Sequence, residues 1–143
     1  MIDRILVAVD DSPPSLAAAA YAIDLVRSRP AQLRFAMALE PGRDPESVLR
    51  HVQALATRAG FDCTTVACNG APPFDALLAE AHRWNADLIV MGRSDMRRPG
   101  YRYVGSQTEH VLEFTEIPVL VVPVADTSAS ARPQSSRLDR RTP

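Results

Sequence analysis

Two short polar turns carry the residues of this sequence best suited to chemistry. Asp10-Asp11-Ser12 follows the apolar run Ile5–Val9, and Gly92 follows the run Asp87–Met91 on the way to Gly105-Ser106. A carboxylate at 10 and a hydroxyl at 12 can hydrogen-bond the hydroxyls or amines of a small ligand. A glycine directly after a strand allows a ligand to lie close against the backbone. Gly-Ser at the start of a helix presents amide N–H groups and the positive end of the helix dipole, a setting for an anion such as phosphate. The intervening loop carries Arg93, Arg97, Arg98 and Arg102 against the single acid Asp95, and is therefore cationic. Plainer uses exist for the same residues: Asp10 as a polar strand terminator, Gly105-Ser106 as an ordinary helix start, and the arginines as a solvated loop.

Other chemistries lack their residues. All 16 basic residues are arginine, which removes Schiff-base chemistry and the lysine of a phosphate-binding P-loop. His51, His82 and His110 show no paired ligand spacing, so no metal site is expected. Neither a G-x-S-x-G elbow nor a supported cysteine–histidine pairing occurs, no residue stands out as a catalytic base, and a non-enzymatic role is expected, with slow hydrolysis of a bound ligand left open. Cys63 and Cys68 lie in one apparent strand, on opposite faces and about 16 Å apart, too far for a disulfide. The net charge of −1 gives no general attraction to nucleic acid. The longest apolar runs, such as Leu88–Met91, are too short to cross a bilayer. The N-terminus lacks the features of a signal peptide, and the expected setting is the cytoplasm.

The elements that must position these turns follow from the hydrophobic pattern. Ile5–Val9 reads as a strand buried on both faces. Ser12-Pro13 caps a helix with Leu16, Ala19, Ala20, Ile23 and Val26 inward. Leu33–Leu39 is a strand that Arg34 marks as more peripheral. Asp44-Pro45 opens a helix with Val48, Val52, Leu55, Ala56 and Ala59 on one stripe, ended by Gly60 as a left-handed cap. The strand Cys63–Cys68, a helix opened by Pro72-Pro73 and ended near Asn85, and the strand Asp87–Met91 come next. A helix from about Gly105 to Thr115 and a strand Val119–Val122 complete the series. Strict alternation of strand and helix predicts an α/β fold, a doubly wound five-stranded parallel sheet with helices on both faces. In such a sheet a ligand sits beyond the carboxyl ends of the strands, where the strand order reverses. Asp10 and Gly92 would then face each other across one crevice.

Taken together, Ile5-Leu-Val-Ala-Val-Asp10-x-Ser12, Gly70-x-Pro72, Ala86-Asp-Leu-Ile-Val-Met-Gly92, Gly105-Ser106 and Ile117-Pro-Val-Leu-Val-Val122 resemble the universal stress protein family, over residues 2 to 123. The resemblance implies a Rossmann-like fold of the adenine-nucleotide α-hydrolase type, with strand order 3-2-1-4-5 and a domain spanning 1–123. It also implies a homodimeric stress-response regulator that binds an adenine nucleotide, ATP with Mg. By the same resemblance, Asp10 and Ser12 would meet the nucleoside and the main chain near Ala38 the base. Gly92, Arg93, Gly105 and Ser106 would line the phosphates. The family's nucleotide-binding members carry G-x-x-G, nine residues, then G-[S/T]; here Asp95 stands where the second glycine belongs. A carboxylate at that place is expected to weaken the site, and the alternative is a nucleotide-independent protein-interaction module of the same fold. The acidic pair Asp10-Asp11 also suits a phosphoryl-accepting receiver domain. That reading fails, since the third strand ends in Cys68-Asn69 and the chain has no lysine.

The last strand, Val119–Val122, falls at an edge of the expected sheet although its side chains are wholly apolar. An uncovered apolar edge invites pairing with a second copy of the chain. Beyond it, residues 124–143 are dominated by Ser, Ala, Arg and Pro, with one leucine, and are expected to form a disordered tail. Removing residues 125–143 should therefore leave the melting temperature unchanged within error; a drop of several degrees on thermal denaturation would show that the segment docks.

Overall fold

The computed structural model describes residues 1–70, 72–93 and 106–124. Strands and helices alternate as β1 (Arg4–Ala8), α1 (Pro13–Ser28), β2 (Gln32–Ala38), α2 (Pro45–Arg58), β3 (Cys63–Cys68), α3 (Pro73–Trp84), β4 (Leu88–Gly92), α4 (Ser106–Phe114) and β5 (Val119–Val122). The strands form one parallel sheet in the order β3-β2-β1-β4-β5. The strand order and fold class expected from the sequence are those found.

Period-two alternation divides the interior into two layers. Ile5, Val7, Val9, Leu33, Phe35, Met37 and Val90 face α1 and α2, where Ala18, Ala22, Val26 and Val52 meet them. Leu6, Ala8, Ala36, Ala38, Ile89 and Met91 face the other way, toward Leu77, Leu78 and Ala81 of α3 and Val111 of α4. Ala20, expected inward, is exposed; Ala18, Ala19 and Ala22 take the buried stripe of α1 instead. Gly60 and Asn85 both take left-handed conformations, with φ of 92° and 61°, and end α2 and α3 as their residue types suggest. Cys63 and Cys68 are free thiols facing opposite layers.

β2 corrects one expectation. It is not peripheral: Leu33 and Phe35–Ala38 are all buried, because β2 lies between β1 and β3. Arg34 is tolerated there because Glu80, only 7% exposed on α3, receives it. The Arg34 guanidinium donates to Glu80 Oε2 at 2.8 Å and to Thr64 Oγ1 at 2.9 Å, and sits 4.6 Å from the centre of the Trp84 ring. Arg83 donates to both oxygens of Glu80 at 2.7 Å. Burial alone would raise the Glu80 carboxyl, but hydrogen bonds from Arg83 and Arg34 outweigh it and hold the group below its ordinary value.

Removing one partner of a buried pair leaves an uncompensated charge and costs about 3 kcal/mol. Arg34→Ala should approach that loss on chemical denaturation. Arg83→Ala, whose side chain is 65% exposed, should lose less, about 1 kcal/mol at most. Because the carboxyl is lowered in the folded state, its contribution is present above the ordinary glutamate value and is lost as pH falls through the lowered one. The stability gap between wild type and Glu80→Gln should therefore be full at neutral pH and shrink below about pH 4. A gap independent of pH would contradict the pairing.

Candidate functional site

The carboxyl ends of β2, β1 and β4 bring most of the predicted residues into one row. β1 pairs with β2 as Val7 with Phe35 and with β4 as Val7 with Val90. Continuing those registers sets Asp10 level with Ala38 on one side and with Arg93 on the other. β1 is also where the strand order reverses, so the row lies at the switch point of the sheet.

The β1–α1 turn is built by its own polar residues. The Asp10 carboxylate accepts from the Ser12 N–H at 2.8 Å and from the Ser12 hydroxyl at 2.5 Å. The Ser12 oxygen caps α1 by accepting from the Ser15 N–H at 3.4 Å. In return, the Asp10 N–H donates to the Ser15 hydroxyl oxygen at 2.6 Å. Only one Asp10 oxygen is used this way; the other takes no hydrogen bond from the described residues. Arg43, ahead of α2, forms an ion pair with Asp11 and ties the neighbouring loop to this turn.

On the far side of the row, Gly92 ends β4 and the Arg93 N–H donates to the Val122 carbonyl at 2.8 Å, fixing the exit of the strand against β5. Ala38 ends β2, buried at 6% exposure. Ser106 is the first residue of α4, the helix that leads back to β5. Asp95 and Gly105, like Arg97, Arg98 and Arg102, lie outside the described residues.

Sequence reasoning missed Ser15, which is 5% exposed and completes the Asp10 turn. The Ser12-x-x-Ser15 spacing was the available signal. It also misread the surroundings of Gly92. The space that a side chain would occupy there is filled by Pro14 of α1.

The first turns of the helices differ in what they can offer an anion. α1 begins Pro13-Pro14, which lack N–H groups, and the next amide, of Ser15, is spent on Ser12. α2 and α3 also begin at a proline and carry Glu46 and Asp75 in their first turns. α4 begins Ser106-Gln107-Thr108, with no proline. Among the described helices it alone begins without a proline.

Among the described residues, two open cavities, of about 750 and 310 Å³, lie at the amino ends of the strands. The larger contains Asp87, whose carboxylate accepts from the N–H groups of Asp3 at 2.8 Å and Arg4 at 3.0 Å. Those two bonds hold it below the usual carboxylate range, and it serves as a tie between β1 and β4. Among the described residues no group of three or more His, Cys, Asp or Glu could hold a metal ion, and no helix is long and apolar enough to cross a membrane.

A doubly wound parallel sheet whose polar turns meet at its switch point defines a Rossmann-like α/β fold. The model of the universal stress protein family matches residues 1–51 and 42–123, and the chain belongs to that family. A universal stress protein of Synechocystis sp. is 32% identical over 137 residues, covering 86% of this chain and 87% of that protein. The crystal structure of a universal stress protein in complex with cAMP is 30% identical with a TM-score of 0.74, covering 87% of this chain and 98% of that one. A family member from Burkholderia pseudomallei is 27% identical with a TM-score of 0.70, covering 85% and 96%.

Ser15→Ala leaves the Asp10 N–H without its partner and should lower stability by about 1–2 kcal/mol on urea unfolding. Ser15→Thr, which keeps the hydroxyl, should recover part of the loss. Equal losses for the two would show that packing, not the hydrogen bond, is at stake.

Proposed function

We propose that this protein is a regulatory module that binds an adenine nucleotide at the carboxyl edge of the sheet and works as a homodimer. The observation that carries the reading is the distribution of polar groups on that edge. Asp10 has one carboxylate oxygen to offer a ribose hydroxyl. The main chain at Ala38 stands level with it for the base. α4 keeps the amides that α1, α2 and α3 lose to proline, so the phosphates belong at Ser106. The relative solved with cAMP, at 30% identity over nearly its whole length, supports an adenine nucleotide as the ligand class. Where Mg-ATP is the ligand, the metal would ride on its phosphates, since the described residues supply no metal-binding group of their own.

The dimer rests on β5. It occupies one edge of the sheet, its Val119, Leu120 and Val121 are only half-buried, and Leu112 and Phe114 on the helix leading into it are 46% and 62% exposed. Pairing two β5 edges would satisfy both backbones and cover these side chains. Sedimentation equilibrium at tens of micromolar should give a dimer, and a monomer would remove this part of the reading.

Asp95 sets the strength of the site. Two like charges about 4 Å apart repel by roughly 4 kcal/mol at an effective dielectric near 20. The upper bound on the weakening is about a thousandfold, and pairing with a neighbouring arginine reduces it. Titration calorimetry with ATP, AMP and cAMP at one salt concentration should show weak binding to wild type and binding at least about tenfold tighter to Asp95→Gly. No heat with any of the three for either protein would favour the nucleotide-independent interaction module. Tight wild-type binding unchanged by the substitution would mean that the carboxylate does not face the phosphates.

A further inference from the structure

Gly92 is the first glycine of the family's motif and stands at the edge where a phosphate would pass, yet its missing side chain makes no room for a ligand. A Cβ built at Gly92 would lie 2.2 Å from the Pro14 carbonyl oxygen, 2.4 Å from its carbonyl carbon and 2.8 Å from its Cβ. The two nearest atoms are backbone, so no rotamer change relieves the clash. Gly42 and Gly60 differ, with nothing within 4 Å of an added Cβ; their positive φ angles explain them.

Pro14 belongs to the first turn of α1, one residue before Ser15 and two after Ser12. The Asp10–Ser12–Ser15 hydrogen bonds make that turn one unit with the end of β1. Whatever displaces Pro14 displaces the Ser12 hydroxyl that donates to the Asp10 carboxylate and the Ser15 hydroxyl that accepts from the Asp10 N–H. The end of β4 cannot retreat, because the Arg93 N–H is bonded to Val122 on β5. A side chain at 92 must therefore push the α1 turn away by about 1 Å to restore ordinary contact. The choice of a double proline at 13 and 14 stiffens the surface that Gly92 meets.

We propose that Gly92 is a positioning residue. By admitting the Pro14 backbone against the end of β4, it fixes the spacing between the β1–α1 turn and the β4 exit, the two segments that flank the crevice. Its effect on nucleotide binding passes through Asp10, Ser12 and Ser15, and that consequence rests on the nucleotide reading above. The seating itself does not.

The test compares Gly92→Ala with Ala22→Val, which overpacks the fully buried midpoint of the same helix without touching its first turn. Amide hydrogen exchange is measured without ligand, and affinity for cAMP and ATP by calorimetry. Gly92→Ala should speed exchange of the Asp10 and Ser12 amides at least about tenfold beyond any change at Val7 and Val90, and should weaken nucleotide binding by a similar factor. Ala22→Val should change all four amides together and leave affinity near that of wild type. If the two variants give the same pattern, Gly92 is only a packing residue and the proposal is overturned. If wild type binds neither nucleotide, the functional reading fails while the exchange data still decide the seating. Should Gly92→Ala fail to fold, Pro14→Gly loosens the same contact from the helix side and is expected to give the same local exchange signature in a folded protein.

Discussion

Everything in this molecule is arranged around the burial of β1. The strand is paired on both edges and covered on both faces, so Ile5–Val9 contribute no polar side chain and every backbone amide must find its partner in the ladder. The last ladder bond at this end runs from the Val9 N–H to the Ala36 carbonyl. At Asp10 the neighbouring strands no longer supply a partner. The Ser15 hydroxyl, brought back by the first turn of α1, takes over. A polar group so near the middle of the sheet is therefore a consequence of where the ladder ends.

That constraint also sorts the helix termini. The helices after β1, β2 and β3 begin at Pro13, Pro45 and Pro73, residues whose fixed φ suits the first helical position and whose missing N–H is no loss to the helix. It is a loss to any anion. An ordinary doubly wound fold offers a phosphate the helix after its first strand. Here that terminus is closed by two prolines and a serine-to-serine bond, which shifts the electrostatic preference to the helix after β4. Pro14 has a second use, since its backbone fills the place of the Gly92 side chain. The same dipeptide thus removes two amides from the first turn of α1 and packs against the end of β4.

The fold was legible in the sequence because its signals are local and mutually consistent. Apolar runs of strand length, proline at helix starts, and left-handed Gly60 and Asn85 at helix ends each need only a few neighbouring residues to interpret. The candidate site was legible as a set of turns: Asp10, Ser12, Ala38, Gly92 and Arg93 do share one edge. What escaped was pairing at a distance. Arg34 looks like an interruption of β2 until Glu80, 46 residues later, is placed beneath it. Gly92 looks like space for a ligand until Pro14, 78 residues earlier, is found occupying that space. Ser15 lay close enough to be read from the Ser12-x-x-Ser15 spacing, but a serine in a first turn is so often an ordinary capping residue that the spacing alone does not point to the Asp10 amide.

The two cysteines bear on how a protein of this family could respond to its surroundings. Burial pushes the Cys68 thiol up to about 11, with Glu80 nearby adding to the effect, and burial raises Cys63 as well. With the Cys68 value well above neutrality, the thiolate, the form that reacts with oxidants or a second thiol, is scarce. The two side chains face opposite layers of the sheet, so oxidation has no neighbouring sulfur to resolve it into a bridge. Arg83 and Arg34 pull the Cys68 thiol the other way, but both are paired with Glu80, and burial with the Glu80 carboxylate outweighs them. The unspent polar and apolar surface lies elsewhere: one oxygen of the Asp10 carboxylate takes no bond from the described residues, and Val119–Val121 of β5 are only half-buried.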